Sequence, residues 1–409
     1  MEVIINKKKT RSENLDMISN LPDSLLIDIL ALLDPRDAAQ TCILSKRWSN
    51  LWAFVPSLSF DMEKFKGKAD NFNNFVSSFL RLRDKASDVH KFALRYAVSL
   101  ETKFSDLVIW AWIMYASEHK VKNLVVHLVG WPCHFLSNKS RFHCDTLVNL
   151  HLCGIVLMEA DDLCLPKLKT LSLIDVIAHG ESMQKLQSGC PALITLIMCY
   201  STMYTSNISF GSIKSLTIEC CTLGSSSPFS ISAPCVEYLE FVEGKGARII
   251  TFNDMSRVTK AIIGGLGEPG RTAHSFRLLD AIKGVQDLEF TCIYLEVLYL
   301  NRELLKCGIF NKLKNLRLGF GCPCQDYSTL LSSFLKHCPN LEYLCLLHDK
   351  DFCDCEERHG EMFSKIGHKQ YEGFHGRYLK LVTFDSRTLC QQNLLPHMEK
   401  AFLQWNKEV

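Results

Sequence analysis

The chain has 409 residues, 47% of them hydrophobic and 22% charged, a composition that supports a large core and lies outside the disordered range. Its 46 Lys and Arg nearly cancel its 44 Asp and Glu, so no global field draws it to nucleic acid or to anionic lipid. The 19 cysteines are scattered, no apolar signal-peptide core follows the basic start MEVIINKKKTRSEN, and the most apolar run, Leu107–Ala116, is half the length of a bilayer span. The expectation is a protein of the cytoplasm or nucleus with reduced thiols and no membrane segment.

Residues 1–16 are polar and basic without an apolar period and are expected to form a flexible arm. Lys7, Lys8, Lys9 and Arg11 within it are either a nuclear address or an ordinary solvated run. From Asp23 onward, Leu25, Leu26, Ile29, Leu30 and Leu33 fall on one helical stripe, with Asp23 favouring the first turn. Asp34 caps and Pro35 opens a second helix carrying Ala38, Ala39 and Cys42, and Ser45 is placed to cap a third bearing Trp48, Leu51 and Trp52. Three helices of this size bury little surface alone, so the segment needs a partner, the rest of the chain, or both. A fourth helix, at about 70–84, is expected over Phe72, Phe75, Val76, Phe79 and Leu80, with the cations of RLRDK at its C-terminal end.

After it the pattern changes. An apolar-x-x-apolar-x-apolar signature begins with VHKFAL at Val89 and recurs at Val121, Leu147, Leu168, Leu193, Ile213, Val236, Val258, Val285, Leu313 and Leu341. From 121 to 341 its spacing is 20 to 28 residues, the period of leucine-rich repeats. Each unit then gives one short strand with inward Leu-type residues and a return segment behind it, and the units stack into a horseshoe-shaped solenoid with a curved parallel sheet, an α/β architecture spanning about 62–350. LPKL at Leu165, CPAL at Cys190 and CPNL at Cys338 mark the turn before a strand. An aromatic helix at about 104–118 is expected on the convex side, and GGLGEPGR from Gly264, which lacks the Lys-Ser/Thr of a phosphate loop, is read as a turn. Beyond Leu347 the repeat degrades: YLKLVTF from Tyr378 offers one more strand, LLPHMEKAFLQW a closing helix, and 351–409 a degenerate cap.

In such a horseshoe the residues between the inward ones face the concave side. These are His151, Thr170, Ser172, Ser215, Thr217, Tyr238, Glu240, Lys260, Asp287, Glu289, Asn315, Arg317 and Tyr343. Their mixed polarity suits a protein or peptide partner, and any one of them is equally at home on an ordinary solvated strand. Lys260 and Arg317, as two isolated cations, argue against a built-in polyanionic cofactor, which calls for a cluster of Arg and Lys.

Catalytic constellations are not legible. Cys322-Pro-Cys324 and Cys353-Asp-Cys355, near His348 and His359, have one residue between paired ligands where zinc sites use two or more, so neither metal nor cofactor is expected. Gly-x-Ser-x-Gly and His-Glu-x-x-His do not occur, and a lone cysteine is weak support for a thioester-forming ligase, so the chain reads as non-catalytic.

Leu21-Pro22, the Leu25, Leu26, Ile29, Leu30 stripe, Leu33, Pro35-Arg36-Asp37-Ala38, Cys42 and above all LSKRW from Leu44 with LW at Leu51 closely resemble an F-box over 17–61. The extension through VPSLSFD resembles the plant type that precedes leucine-rich repeats (F-box/LRR). The resemblance implies an adaptor of an SCF-type cullin-RING ubiquitin ligase: the F-box binds a Skp-type adaptor, and through it cullin and RING subunits, while the repeats hold a target protein. By the same resemblance the docking surface is Leu21, Pro22, Leu25, Leu26, Ile29, Leu30, Cys42, Lys46, Trp48 and Leu51. Trp52 and Phe54 are expected to pack on the first repeats instead. The remaining alternative is a repeat-based binding scaffold that works outside any ubiquitin ligase. The commonest plant pattern continues into a further helical domain, which the C-terminal residues fit poorly.

Overall fold

Every occurrence of the apolar signature from Val89 to Leu341 becomes a strand that starts two residues after the signature does. The computed structural model describes residues 18, 20–66, 68–97, 106–130, 133–135, 141–157, 162–179, 182–224, 229–242, 244, 250–265, 273–292, 308–320, 337–348 and 381–386. The strands are β1 (Ser57–Asp61), β2 (Lys91–Ala97), β3 (Asn123–Val129), β4 (Asn149–Cys153), β5 (Thr170–Ile174), β6 (Thr195–Cys199) and β7 (Ser215–Glu219). They continue as β8 (Tyr238–Val242), β9 (Lys260–Gly265), β10 (Asp287–Cys292), β11 (Asn315–Phe320), β12 (Tyr343–His348) and β13 (Leu381–Ser386). All thirteen form one parallel sheet in sequence order, the topology of a solenoid in which each coil pairs only with its neighbours.

The two-residue offset has a local cause. The first apolar residue of the signature closes a turn: Leu168, Leu193, Val236, Val258, Leu313 and Leu341 each donate their backbone N–H to the carbonyl three residues back. The acceptors Leu165, Cys190, Ala233, Met255, Phe310 and Cys338 are themselves buried. Proline at 166, 191 and 339 follows the acceptor, a turn position for which its fixed φ is suited. The second and third apolar residues, such as Leu196 and Met198 or Leu239 and Phe241, point into the core.

Beyond several strands the chain bends sharply through a left-handed residue: Gly154 (φ 69°), Asp175 (52°), Tyr200 (53°) and Cys220 (50°). Their N–H groups donate to Ile174, Cys199, Glu219 and Val242 of the next coil, so the corner is itself a hydrogen-bonded ladder. At Gly154 the backbone of Leu128 approaches so closely that no side chain fits. The bend leads into short back strands: Cys133–Phe135, Ile155–Leu157, Ile177–His179, Thr202–Tyr204 and Thr222–Leu223 form a five-stranded sheet, with smaller sheets of three and two strands beyond it. Ser201, fully buried at this corner, accepts from the Val176 N–H at 3.0 Å.

Six α-helices lie among the described residues: α1 (Asp23–Leu30), α2 (Pro35–Gln40), α3 (Ala69–Leu82), α4 (Asp106–Glu118), α5 (Ser182–Gly189) and α6 (Ala273–Ala281). α4 packs on α3 on the core side of the sheet, with the Trp112 Nε1–H donating to Ser77 Oγ at 3.2 Å and Trp110 edge-on to Phe142. The expected third N-terminal helix differs. Ser45–Asn50 is turns, followed by a 3-10 helix at Leu51–Phe54, because Ser49 and Trp52 bond locally to the Lys46 and Ser49 carbonyls and so compete with α-helical pairing. β1 falls within the segment read as the F-box extension. Gly264 and Gly265 end β9 rather than making a turn. The basic arm 1–16, the rest of the glycine-rich loop, Cys322 and Cys324, and the tail 351–409 except β13 lie outside the described residues.

One apolar core runs without a break from Leu26 and Leu30 of α1 to Leu344 of β12. At the junction α2 packs beside the edge strand β1, and aromatic rings interlock: Trp52 on Phe79 at 4.9 Å, Phe79 on Phe60 at 5.5 Å, Phe60 on Phe92 at 5.7 Å. Asp34, which caps α2 through the Arg36 N–H, also holds Lys64 at 2.7 Å. Arg83 is buried and donates to the carbonyls of Val55, Ser87 and Asp88 at 2.7–2.9 Å, fastening the end of α3 to the N-terminal segment.

Candidate functional site

Two surfaces stand out. The first lies on α1. Its single apolar stripe is split by the helix into two: Leu26 and Leu30 are fully buried against the 51–58 segment, whereas Leu25 (46% exposed) and Ile29 (41%), with Leu32 (83%) one turn on, face solvent at i, i+4, i+7 spacing. Arg47 fixes the start of the helix, pairing with Asp23 at 2.7 Å and donating to the Leu21 carbonyl. Pro22, Cys42 and Lys46 are exposed and Leu21 is half-buried. Leu26, Leu30 and Leu51, expected on the docking surface, belong instead to the interior: burying them is what gives this short segment a core. Trp48 is half-buried against the same core. Trp52 packs on the repeats as expected, but Phe54 is 42% exposed. Leu32 and Ile43 are exposed apolar residues that the motif does not mark, their signal being the apolar residues beside Cys42 and at the end of α1, and Leu44, which opens LSKRW, is exposed as well.

The second surface is the face of the main sheet opposite the core. Positions one, three and five of each strand share it, in register across neighbouring strands. Row one runs Thr170, Thr195, Ser215, Tyr238, Lys260, Asp287, Asn315, Tyr343, and row three His151, Ser172, Ile197, Thr217, Glu240, Ile262, Glu289, Arg317. All ten expected target-binding residues are therefore on one face. Tyr343, Lys260 and Arg317 are exposed, and His151, Thr217, Tyr238, Glu240, Asp287 and Glu289 are half-buried. Ser172 is a correction: its small side chain is overshadowed by its row neighbours His151 and Ile197 and is buried. Lys260 and Arg317 are not isolated either, for Lys260 Nζ sits 5.8 Å from the Tyr238 ring centroid and Arg317 lies 3.5 Å from Glu289.

Side chains on this face are knitted along and across strands. The Tyr238 hydroxyl donates to Glu240 Oε2 at 3.1 Å, Thr217 Oγ1 donates to the same oxygen at 3.4 Å, and Asn315 Nδ2 donates to Asp287. Burial, then the charges of Glu240 and Glu289, hold the Tyr238 phenol well above its ordinary pKa. Toward β4 the face turns apolar: Cys153, Ile174 and Cys199 form a small cluster with Ile197 and Tyr200 against it.

The eleven cysteines with described side chains are free thiols. Burial pushes Cys190, Cys221 and Cys338 up to about 12, which keeps them protonated and poor as nucleophiles. Among the described residues no three His, Cys, Asp or Glu side chains converge as metal ligands, and no helix is long and apolar enough to cross a membrane.

Comparison with known proteins matches the two parts of the chain that carry these surfaces to known families. The F-box domain family matches residues 18–59, and the family described as "FBD-associated F-box protein At5g56370, LRR repeats" matches 109–261, from α4 to β9. The F-box protein At3g59000 of Arabidopsis thaliana is 32% identical over 393 residues, covering 84% of this chain and 77% of the relative. The chain belongs to the F-box/leucine-rich-repeat family. Further Arabidopsis thaliana relatives are F-box/LRR-repeat protein 13, 30% identical over 81% of this chain and 77% of its own length, and the FBD-associated F-box protein At5g22730, 28% identical over 86% and 78%.

The F-box match ends inside β1, so the F-box and the solenoid share a strand as well as a core. The F-box therefore shows solvent its Leu25, Ile29 and Leu32 side, while its Leu26, Leu30 and Leu51 side is closed by the chain itself.

Proposed function

We propose that this protein is the non-catalytic target-recognition subunit of an SCF-type ubiquitin ligase. The observation that carries the proposal is the exposed leucine and isoleucine stripe on an F-box whose own core is already complete, because an apolar row left in water on a folded body marks a docking site. The F-box in general implies binding to a Skp-type adaptor. In the proposed assembly the adaptor covers Leu25, Ile29 and Leu32, and links the chain to the cullin and RING subunits. The open face of the solenoid holds the target, and the solenoid's part in the reaction is to raise the concentration of an acceptor lysine near activated ubiquitin. Cytosol or nucleus is the proposed compartment, in keeping with eleven free thiols.

Co-expression with a Skp-type adaptor is expected to give a stable complex in gel filtration, which supports cullin-dependent ubiquitin transfer to a captured protein when cullin, RING and conjugating enzyme are added. A well-folded chain that ignores the adaptor would sink the proposal. Thiol-dependent transfer by the chain without cullin would show it to be an enzyme in its own right.

A further inference from the structure

Resting on the assignment of the open face as the target-binding part, we propose that β6 to β11 accept an extended, lysine- or arginine-rich segment of the target, anchored by one apolar side chain at Ile197 and Tyr200. Charge chooses this occupant. On rows one, three and five from β7 to β11, Glu219, Glu240, Asp287 and Glu289 outnumber Lys260 and Arg317 four to two, although the whole chain has a formal net charge of +2. One of the two cations is already engaged by an acid of the same face, Arg317 with Glu289 at 3.5 Å. At the middle of the face the Tyr238 phenol is raised first by burial and then by the charges of Glu240 and Glu289, whose carboxylates lie beside it. An acidic segment or a polyanion meets repulsion here; a cationic one finds carboxylates half-shielded from water, where charge pairs are stronger than on an open surface.

The apolar end supplies the second contact. Ile197 and Tyr200 are half-exposed over the floor of Cys153, Ile174 and Cys199, a hydrophobic patch on the side of the sheet away from the core. Because strands are about 4.8 Å apart and an extended chain advances about 3.3 Å per residue, the acids on β7 to β10 lie roughly two to six residues from an anchor at β6. The expected motif is therefore one large apolar residue with cations spread over the following half-dozen positions.

The test uses the full chain bound to its Skp-type adaptor and three fluorescent 15-residue peptides. One carries a leucine followed by lysines at the second, fourth and sixth positions beyond it, one has those lysines changed to glutamate, and one has the leucine changed to serine. Anisotropy is expected to show binding of the first peptide, at least tenfold weaker binding of the other two, and loss of affinity with added salt. Glu219→Gln with Glu240→Gln and Glu289→Gln is expected to weaken the lysine peptide at least tenfold, while Asp70→Asn with Glu118→Gln, on the helices, leaves it unchanged. Lys260→Glu, at an exposed position, is expected to tighten it, which keeps the test decisive if the triple variant misfolds. Equal binding of the glutamate peptide, no binding of the lysine peptide, or indifference to both sets of variants would overturn the proposal. Adaptor capture is scored in the same samples: its loss counts against the ligase assignment, whereas its retention with failed peptide binding counts against the cationic target alone.

Discussion

Replacing Leu25 and Ile29 together by alanine separates docking from folding. The two side chains are 46% and 41% exposed, so a partner that covers them removes only that remaining fraction from water. Full burial of such a side chain stabilises by about 1.5–3 kcal/mol, which scales to about 0.7–1.4 kcal/mol for Leu25 and about 0.6–1.2 kcal/mol for Ile29. Their joint loss, about 1.3–2.6 kcal/mol, corresponds to roughly 10- to 80-fold weaker binding of a Skp-type adaptor. The neighbouring Leu26→Ala and Leu30→Ala changes act differently, since both residues are fully buried and truncation costs about 2–5 kcal/mol of fold stability each. Biolayer interferometry on immobilised adaptor, paired with thermal melting of each variant, distinguishes the two. An unchanged Kd for the double variant, or a folded Leu26→Ala chain with specifically weakened adaptor binding, would refute the division of α1 into an outer docking side and an inner structural side.

Three further outcomes are expected. Gly154→Ala places a Cβ 1.9 Å from the Leu128 carbonyl oxygen at a φ of 69°, so the corner must open; a loss of about 3 kcal/mol or more in urea unfolding is expected, and a neutral result would mean the coils slide freely. Arg83→Met leaves the Val55, Ser87 and Asp88 carbonyls without their donor and is expected to cost about 3 kcal/mol, read as a lower melting temperature of the whole chain rather than of one half. His127 is held down at about 4, first by burial and then by the Arg95 charge, so between about pH 6.5 and 4 the unfolded chain binds a proton that the folded chain refuses. Stability is therefore complete above about 6.5 and falls by up to about 3 kcal/mol as the pH drops toward 4, a slope that His127→Gln is expected to flatten in urea midpoints taken at several pH values.

Much of this architecture could be read from apolar spacing, because in a solenoid each coil repeats the same local problem. The eleven signatures gave eleven strands, and Pro166, Pro191 and Pro339 marked real turns. What spacing left open was which half of a stripe is inside. Leu25 and Leu26 are one residue apart and equally apolar, and what separates them is the chain's return, which brings the 3-10 helix Leu51–Phe54 against α1 and leaves Leu26 in the core. Likewise Ser172 has the right residue type and register for a binding face, and its burial depends on the sizes of its neighbours on other strands. The left-handed corners at Asp175, Tyr200 and Cys220 carry no glycine to announce them, and inter-coil hydrogen bonds help to hold them.

The strand that the F-box shares with the solenoid makes the molecule a ruler. With β1 fixed to α2 and an uninterrupted core behind the sheet, the open face is graduated in steps of about 4.8 Å from the F-box end. Counting along the sheet, β7 to β10 lie six to nine steps from β1, roughly 30–45 Å along the arc. In the proposed ligase, a target held there would present its lysines at a distance set by the number of coils, so the choice of lysine would follow the repeat count, and a coil added or removed between β1 and β7 would shift that choice by one graduation.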